Sequence, residues 1–347
     1  MPTERRKISL IYFVILTLLL VGLVPLVLTG WLFSDKSGRE LRAAENRYQI
    51  QLVQEKARQI EMFGRRMGSV VSSLSNALQL AHDPALVSSN KMDAKLGAIL
   101  RETPDLAALY VKAEKADPVV ARRDSLSPDD VASIASEISD ASTTGKLAIG
   151  KPRKIEAAGL SVMSFSSKVI IDGSATATIV AIASLQNISR SIVGISPTKD
   201  EDLWKAGLPI VFVVDQSGEA VFHPDRTVSA SNRPMNDLKI VQEWQESGGQ
   251  VQSALVPFSA NYNGKTYNMI GAYSTAEIGD GYNLGVITMQ DESRALASVG
   301  EMRTQAWLIS MAFAVCALFV GLAGARFMTL PLLKLVNAAK RDRKSVV

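Results

Sequence analysis

The sequence predicts an α+β fold: two antiparallel-sheet modules on a long N-terminal helix, flanked by two transmembrane helices. Three observations predict it. Apolar runs stand near both ends of the 347 residues. An amphipathic helical pattern follows the first run. A helix followed by hairpin-forming strands then occurs twice in series.

The first apolar run, Ile8–Phe33, contains no charged residue. A helix that crosses the hydrocarbon core needs about 20 such residues. Gly22 and Pro25 would bend it, which membrane helices tolerate, and Trp31 suits an interfacial anchor. The rival is a cleaved signal peptide, but such a core is ordinarily about 7–15 residues long and ends in a small-residue cleavage site. This run is longer and no A-x-A pattern follows it, so we read it as an uncleaved helix. The second run is Ala306–Ala325, with Trp307 at its outer edge. Arg5, Arg6 and Lys7 precede the first run, and Arg326, Lys334, Lys340 and Arg341 follow the second. Positive charge marks the cytoplasmic side. Both termini are therefore expected in the cytoplasm of a multi-pass protein of the cell (inner) membrane, with residues 34–305 outside and the lipid bilayer as a partner.

Composition removes several function classes. Net charge is +4, with no block of like charge in the middle of the chain, so a nucleic-acid partner is not expected. Cys316 is the single cysteine and lies inside the second apolar run, so no disulfide staples the exterior segment. The two histidines, His82 and His223, are far apart, which leaves no Cys/His zinc set. No cofactor or metal is expected. Phosphate-loop, H-E-x-x-H and G-x-S-x-G motifs are absent, and no carboxylate pair stands out. As it stands, the chain is not expected to be an enzyme.

Along the exterior segment, Ser34–Ala81 reads as one helix. Its apolar stripe is Val53, Ala57, Ile60, Phe63, Met67, Val70, Leu74, Ala77 and Ala81. Gly64 and Gly68 should weaken it locally. At 1.5 Å per residue it would extend roughly 70 Å. Lys91–Thr103 reads as a helix ended by Pro104. Leu106–Ala113 reads as a strand. Ser127 opens a helix with Pro at its first position and acids in its first turn. Strands follow at Lys146–Ile149, Leu160–Ile171 and Thr176–Leu185, the last two joined by an Asp172-Gly173 hairpin turn. The second series begins with a helix at Asp200–Lys205. The strand Pro209–Val214 then turns at Asp215–Gly218 into Glu219–His223. A helix at Asp237–Glu246 is closed by Gly248-Gly249. Strands Val251–Phe258, Lys265–Ser274 and Tyr282–Met289 complete the series. A last helix, Asp291–Arg303, should run into the second span. His223 reads as a hydrogen-bonded hairpin residue rather than a ligand.

The segment VFVVDQSGEAVFHPD (211–225) resembles the central hairpin of a double Cache sensor domain, and GYNLGVITMQDESRALASV (281–299) resembles that family's last strand and exit helix. IVAIASLQNIS (179–189) is similar to the strand that ends the family's membrane-distal module. The resemblance covers roughly residues 34–305. It implies a PAS-like fold in each module and a small-ligand site in the distal one. It also implies service to bacterial transmembrane receptors such as chemotaxis receptors, histidine kinases and cyclic-dinucleotide enzymes. The expected organisation is a cytoplasmic N-terminus (1–7), a span (8–33), the long signalling helix (34–81) and a membrane-distal module (82–190). A membrane-proximal module (191–305), a second span (306–325) and residues 326–347 follow. Arg326–Lys340, with Pro331, Leu335 and Ala338, resembles the start of a HAMP linker. The last residues, DRKSVV (342–347), equal an in-frame reading of a common sequencing adapter and are expected to be non-native.

Amino-acid-binding members of that family use an Arg-x-Trp-Tyr cluster and a strand acid. Here Arg122-Arg123-Asp124 falls near the first without aromatics, and Ile182 or Ala183 takes the acid's place. An α-amino acid is therefore not the expected ligand. The candidate ligand-binding residues are Tyr110, Lys112, Arg122, Arg123, Ser164 and Ser166, a basic and hydroxyl set suited to a carboxylate or other anion. The function expected is extracytoplasmic sensing of a small ligand and signalling across the membrane, as a homodimer paired through the long helix. Two alternatives stand beside it. One is a signalling enzyme (histidine kinase, nucleotide cyclase or phosphatase) whose catalytic domain lies beyond this sequence. The other is a two-span adaptor.

Overall fold

The structure is a computed structural model. It describes residues 10–87, 89–114, 116–173, 175–194, 208–225, 228, 234–262, 265–279 and 281–342. The expected helix at Asp200–Lys205, the N-terminal residues 1–7 and residues 343–347 lie outside these. The chain divides into two compact units, Asn46–Glu292 and the terminal segments Met1–Glu45 with Ser293–Val347.

Helix α1 (Leu10–Ala81) is one continuous helix of 72 residues with Pro25 inside it. The apolar run and the amphipathic rod are thus a single element. Its buried stripe is Val53, Ala57, Ile60, Phe63, Met67, Val71, Leu74 and Leu78. The stripe departs from the expected one after Met67: Val70 and Ala77 are half-buried and Ala81 is exposed. Steps of four, three and four keep a helix face in register, and 67–71–74–78 is that series.

The first module follows. Helix α2 (Asn90–Glu102) has Ser89 as its N-cap, whose hydroxyl accepts from the Met92 amide. Strands β1 (Leu106–Ala113) and β2 (Val119–Arg122) precede α3 (Pro128–Ala141). Ser127 and Asp130 form a reciprocal capping box there, with Pro128 in the first turn. Strands β3 (Ala148–Ile149), β4 (Arg153–Ile155), β5 (Leu160–Asp172) and β6 (Ala175–Ser184) complete the sheet, and α4 (Gln186–Val193) leaves it. The sequence reading missed β2, β4 and α4. Strands β2 and β4 are short and held by their neighbours rather than by a pattern of their own, and α4 is only eight residues long.

The second module has β7 (Ile210–Val214), β8 (Ala220–Phe222), α5 (Lys239–Glu246), β9 (Ser253–Tyr262), β10 (Lys265–Gly279) and β11 (Tyr282–Asp291). Strand β11 runs through Asp291, where a helix was expected. A single turn at Glu292–Ala295 separates it from α6 (Ala297–Asp342), which contains Pro331 in its interior. The segment read as HAMP-like, 326–340, therefore continues this helix rather than starting a new one. Among the described residues, no helix is long and apolar enough to cross a membrane.

The first sheet has the order β2-β1-β6-β5-β3, with β4 also on β5, and the second has the order β8-β7-β11-β10-β9. When the two short segments β3 and β4, which both pair with β5, are counted as one edge strand, each sheet reads 2-1-5-4-3 from its own first strand, and every strand pair is antiparallel. One face of each sheet packs on α1. Leu109, Val111, Phe165, Ile179 and Ala181 of the first sheet join one apolar core with Val211, Val213, Ala272, Ile278 and Val286 of the second. The opposite faces form separate cores, one under α3 and one under α5.

Two helix glycines set how closely α1 approaches. A Cβ on Gly64 would lie 2.5 Å from Ile278 Cγ2 and 3.0 Å from its carbonyl oxygen, and a Cβ on Gly68 would lie 2.8 Å from Leu147 Cδ2. The glycines read as weak points in the sequence are points of close approach. Gly97 in α2 meets nothing within 4 Å. Gly97→Ala should therefore stabilise the protein by about 0.5–1 kcal/mol through helix propensity. Gly64→Ala should destabilise it by about 1–3 kcal/mol, because overpacking against backbone outweighs the same propensity gain. Urea unfolding of both variants would show the opposite signs; equal signs would refute the close-approach account.

Candidate functional site

Strand register decides which polar side chains share a face. In the first sheet Tyr110 stands opposite both Val120 and Val180, Val180 opposite Ser166, and Ser166 opposite Ala148. The next row runs Arg122, Ala108, Ile182, Ser164. The row on the other side runs Lys112, Thr178, Lys168. Side chains directly opposite each other in a ladder point to the same side. Tyr110, Lys112, Arg122, Ser164 and Ser166 therefore share one face. It is the face that α3 covers with Val131, Ile134, Ala135 and Ile138 against Ala108, Val180 and Ile182.

Arg123 does not join them. It points to α2, where its Nε donates to Leu106 O at 2.7 Å and its Nη2 donates to Leu100 O at 2.7 Å and Thr103 O at 3.2 Å. The guanidinium ties Leu100 O and Thr103 O at the end of α2 to Leu106 O at the start of β1. Arg122 Nη1 donates to Leu126 O at 2.9 Å, which closes the turn leading to α3.

The serines are covered. Ser142 Oγ donates to Ile138 O at 2.8 Å, so the 2.6 Å contact between Ser142 Oγ and Ser166 Oγ has Ser166 as donor. A Cβ on Gly150 would lie 2.2 Å from Ser164 Oγ, so the chain after β3 crosses directly over that hydroxyl. The open part of the face is Tyr110, half-buried, with Lys112 and Lys168 flanking the half-buried Thr178. Burial pushes the Tyr110 phenol above its ordinary range. At the far end Glu114 accepts from Thr176 Oγ1 at 3.3 Å. Sequence reasoning missed Lys168 and Thr178, although Lys168 is two residues beyond Ser166 on the same strand and the two-residue alternation carries it to the same face.

The second module fills the equivalent space with its own side chains. Trp244, Ile240 and Val241 of α5 are buried on the sheet. A Cβ on Gly285 would lie 2.6 Å from the Trp244 ring, and one on Gly271 would lie 2.7 Å from Ile240 Cδ1. The indole Nε1 donates to Thr275 Oγ1 at 3.1 Å. Beside this core, Asp215 Oδ1 accepts from the Ser217 amide and hydroxyl and from the Glu219 amide, closing the β7–β8 turn. His223 Nδ1 accepts from the Asp225 amide at 3.0 Å, and its ring lies against Phe212. Among the described residues no group of His, Cys, Asp or Glu side chains converges to hold a metal.

Two predictions concern these polar groups. Arg123→Ala should destabilise the protein by about 1–3 kcal/mol, since three carbonyls lose a charged donor, whereas Arg122→Gln should cost about 1 kcal/mol or less; urea unfolding checks the ranking. Burial lowers the His223 pKa, with the Asp225 carboxylate opposing. The unfolded chain therefore takes up the imidazole proton first as pH falls below about 6.5. Stability from this group is full above that pH and declines below it, toward the depressed folded-state value. His223→Gln should flatten the stability profile between about pH 7 and pH 5, measured by urea unfolding against the unmutated chain.

No protein-family model matches the chain, and no curated protein matches it. Solved structures do. The ligand-binding domain of the Pseudomonas fluorescens chemoreceptor CtaA in complex with L-isoleucine is 14% identical, with a TM-score of 0.51, over 75% of this chain and 98% of that one. The ligand-binding domain of Mlp24 with asparagine is 17% identical, with a TM-score of 0.50, over 76% of this chain and 98% of that one. The sensory domain of the Campylobacter jejuni chemoreceptor Tlp3 is 13% identical, with a TM-score of 0.50, over 75% of this chain and 99% of that one. With two 2-1-5-4-3 antiparallel sheets on one long helix, the chain has the double Cache fold of the ligand-binding domains of bacterial chemoreceptors.

Proposed function

We propose that the chain is the sensing part of a bacterial membrane receptor that takes a small anionic ligand on the α3 face of its first module. The observation that carries this is the contrast between the modules. The second holds Trp244 between helix and sheet, whereas the first presents Tyr110, Lys112, Thr178 and Lys168 on that face. A lysine pair beside a phenol and a threonine hydroxyl suits a carboxylate.

The similar domains of CtaA and Mlp24 are in complex with L-isoleucine and asparagine. An α-ammonium group needs an acid or carbonyl partner when it leaves water. The three rows across this face carry no carboxylate, and Ile182 stands between Ala108 and Ser164. An organic acid without an ammonium group fits better.

The membrane reading rests on the apolar runs 8–33 and 306–325. The exposure of Val21, Leu32, Phe33, Leu308, Met311 and Phe319 supports it, because large apolar side chains grouped on a surface need a cover. In this reading residues 34–305 lie outside the cytoplasm, the modules 82–190 and 191–305 are distal and proximal, and the chain works as a homodimer. Residues 326–340 begin a HAMP-type linker.

Thermal unfolding of residues 34–305 against a panel of organic acids, amino acids and amines tests the proposal. An organic acid at about 100 times its Kd should stabilise the protein by about 2.7 kcal/mol. Lys112→Gln and Lys168→Gln should each weaken binding by about tenfold, or 1.4 kcal/mol. Stabilisation by an amino acid that is indifferent to both variants, or by no organic acid in the panel, would defeat it.

A further inference from the structure

A second feature lies away from this face. Within the Asn46–Glu292 unit, a cleft of about 350 Å³ separates the two modules. Thr143, Lys146, Leu147 and Ile149 line it from the first module, and Gln216 and Tyr282 from the second. The volume falls at the lower end of small-molecule sites.

The cleft has a built wall. Gln216 Nε2 donates to Gly281 O at 3.2 Å, and its own carbonyl accepts from Gln245 Nε2 at 3.2 Å. Gly279 and Gly281 have φ of 149° and 76°, so the β10–β11 turn holds a shape that other residues rarely adopt. A Cβ on Gly279 would lie 3.2 Å from Ile149 Cδ1. The turn is thus seated against the first module. Tyr282 is the anomaly: its hydroxyl is buried and has no hydrogen-bond partner. Buried hydroxyls are nearly always paired. Burial, and the Asp215 carboxylate nearby, hold the phenol neutral, so it has a proton to donate. Three donors already occupy Asp215 Oδ1, which tempers that carboxylate's repulsion of an incoming anion.

We propose that this inter-module cleft is a second ligand site, for a small carboxylate with an apolar body. The Lys146 ammonium takes the carboxylate at the rim. The Tyr282 ring turns toward the cleft, and its hydroxyl donates the hydrogen bond that it otherwise lacks. Leu147 and Ile149 pack on the apolar body. This site uses none of the residues proposed for the α3 face.

The test is ligand-detected NMR on the full chain in detergent micelles. Benzoate and butyrate are the probes and benzamide is the neutral control. Benzoate or butyrate at about 10 mM should bind, and benzamide should bind at least about fivefold more weakly. In a chain carrying Lys112→Gln and Lys168→Gln, which removes the α3-face lysines, Lys146→Gln and Tyr282→Phe should each weaken the remaining carboxylate binding by about fivefold or more, while Lys95→Gln, exposed on α2, leaves it unchanged. Tyr282→Phe should also raise Tm, because it removes an unpartnered buried hydroxyl. A stabilised protein with weakened binding is an outcome that a purely structural tyrosine would not give. The proposal falls if neither carboxylate binds the chain carrying Lys112→Gln and Lys168→Gln, or if Lys146→Gln leaves that binding intact.

Discussion

The apolar contact between α1 and two sheets governs the arrangement of the Asn46–Glu292 unit. One stripe, from Val53 to Leu78, enters a single core with residues of both sheets. Each sheet alone would leave that face open to water. Burying a Val, Leu, Ile, Phe or Met side chain stabilises by about 1.5–3 kcal/mol, and the stripe contains seven of them beside Ala57, so neither module can leave the helix without large cost. Gly64 and Gly68 bring the helix axis close enough for the core to be continuous, at Ile278 in one module and Leu147 in the other. Polar contacts add direction. Arg66 pairs with Asp105 at 3.1 Å, and Asn187 donates to the same carboxylate at 3.0 Å. Gln49 Nε2 donates to Gln290 Oε1 at 2.7 Å at the other end of the seam.

The modules share a topology and differ in what lies between helix and sheet. In the second, two glycines let α5 settle until an indole fills the space. In the first, α3 ends at Ser142, whose hydroxyl meets Ser166, and the Lys112–Thr178–Lys168 row is the next one along the sheet. The same five-strand order therefore yields a packed core in one case and a polar, basic face in the other. The difference lies in a few side chains: Trp244 seated on Gly285 in the second module, and small residues such as Ala108 and Ala135 in the core under α3.

Much of this was legible in the residues. Strand β1 has the expected bounds, the Asp172-Gly173 turn stands where expected with Gly173 at φ 56°, and the capping box at Ser127 is present. Those signals are local, so sequence carries them. What failed depended on partners. Val119–Arg122 has no strand pattern beyond its register with β1. Arg123 reads as a ligand-binding cation because sequence does not reveal the three carbonyls that it meets between the end of α2 and the start of β1. Gly64 looked like a weakness because the strand that it admits is more than 200 residues away in sequence.

The position of β3 ties these points together. Ala148 pairs with Ser166 and also lines the inter-module cleft, while Gly150, just beyond, covers Ser164. Strand β3 thus closes the α3 face on one side and walls the cleft on the other. Ile149 meets Gly279 at the end of β10, and Ile278 beside it meets Gly64 of α1. A close-packed interior shifts between discrete packings rather than bending smoothly. Any movement of β3 must then be taken up at the turn or at the glycine face of α1. A ligand influences α1 only as far as it binds one packing better than another, and this short edge strand is where such a difference would be registered.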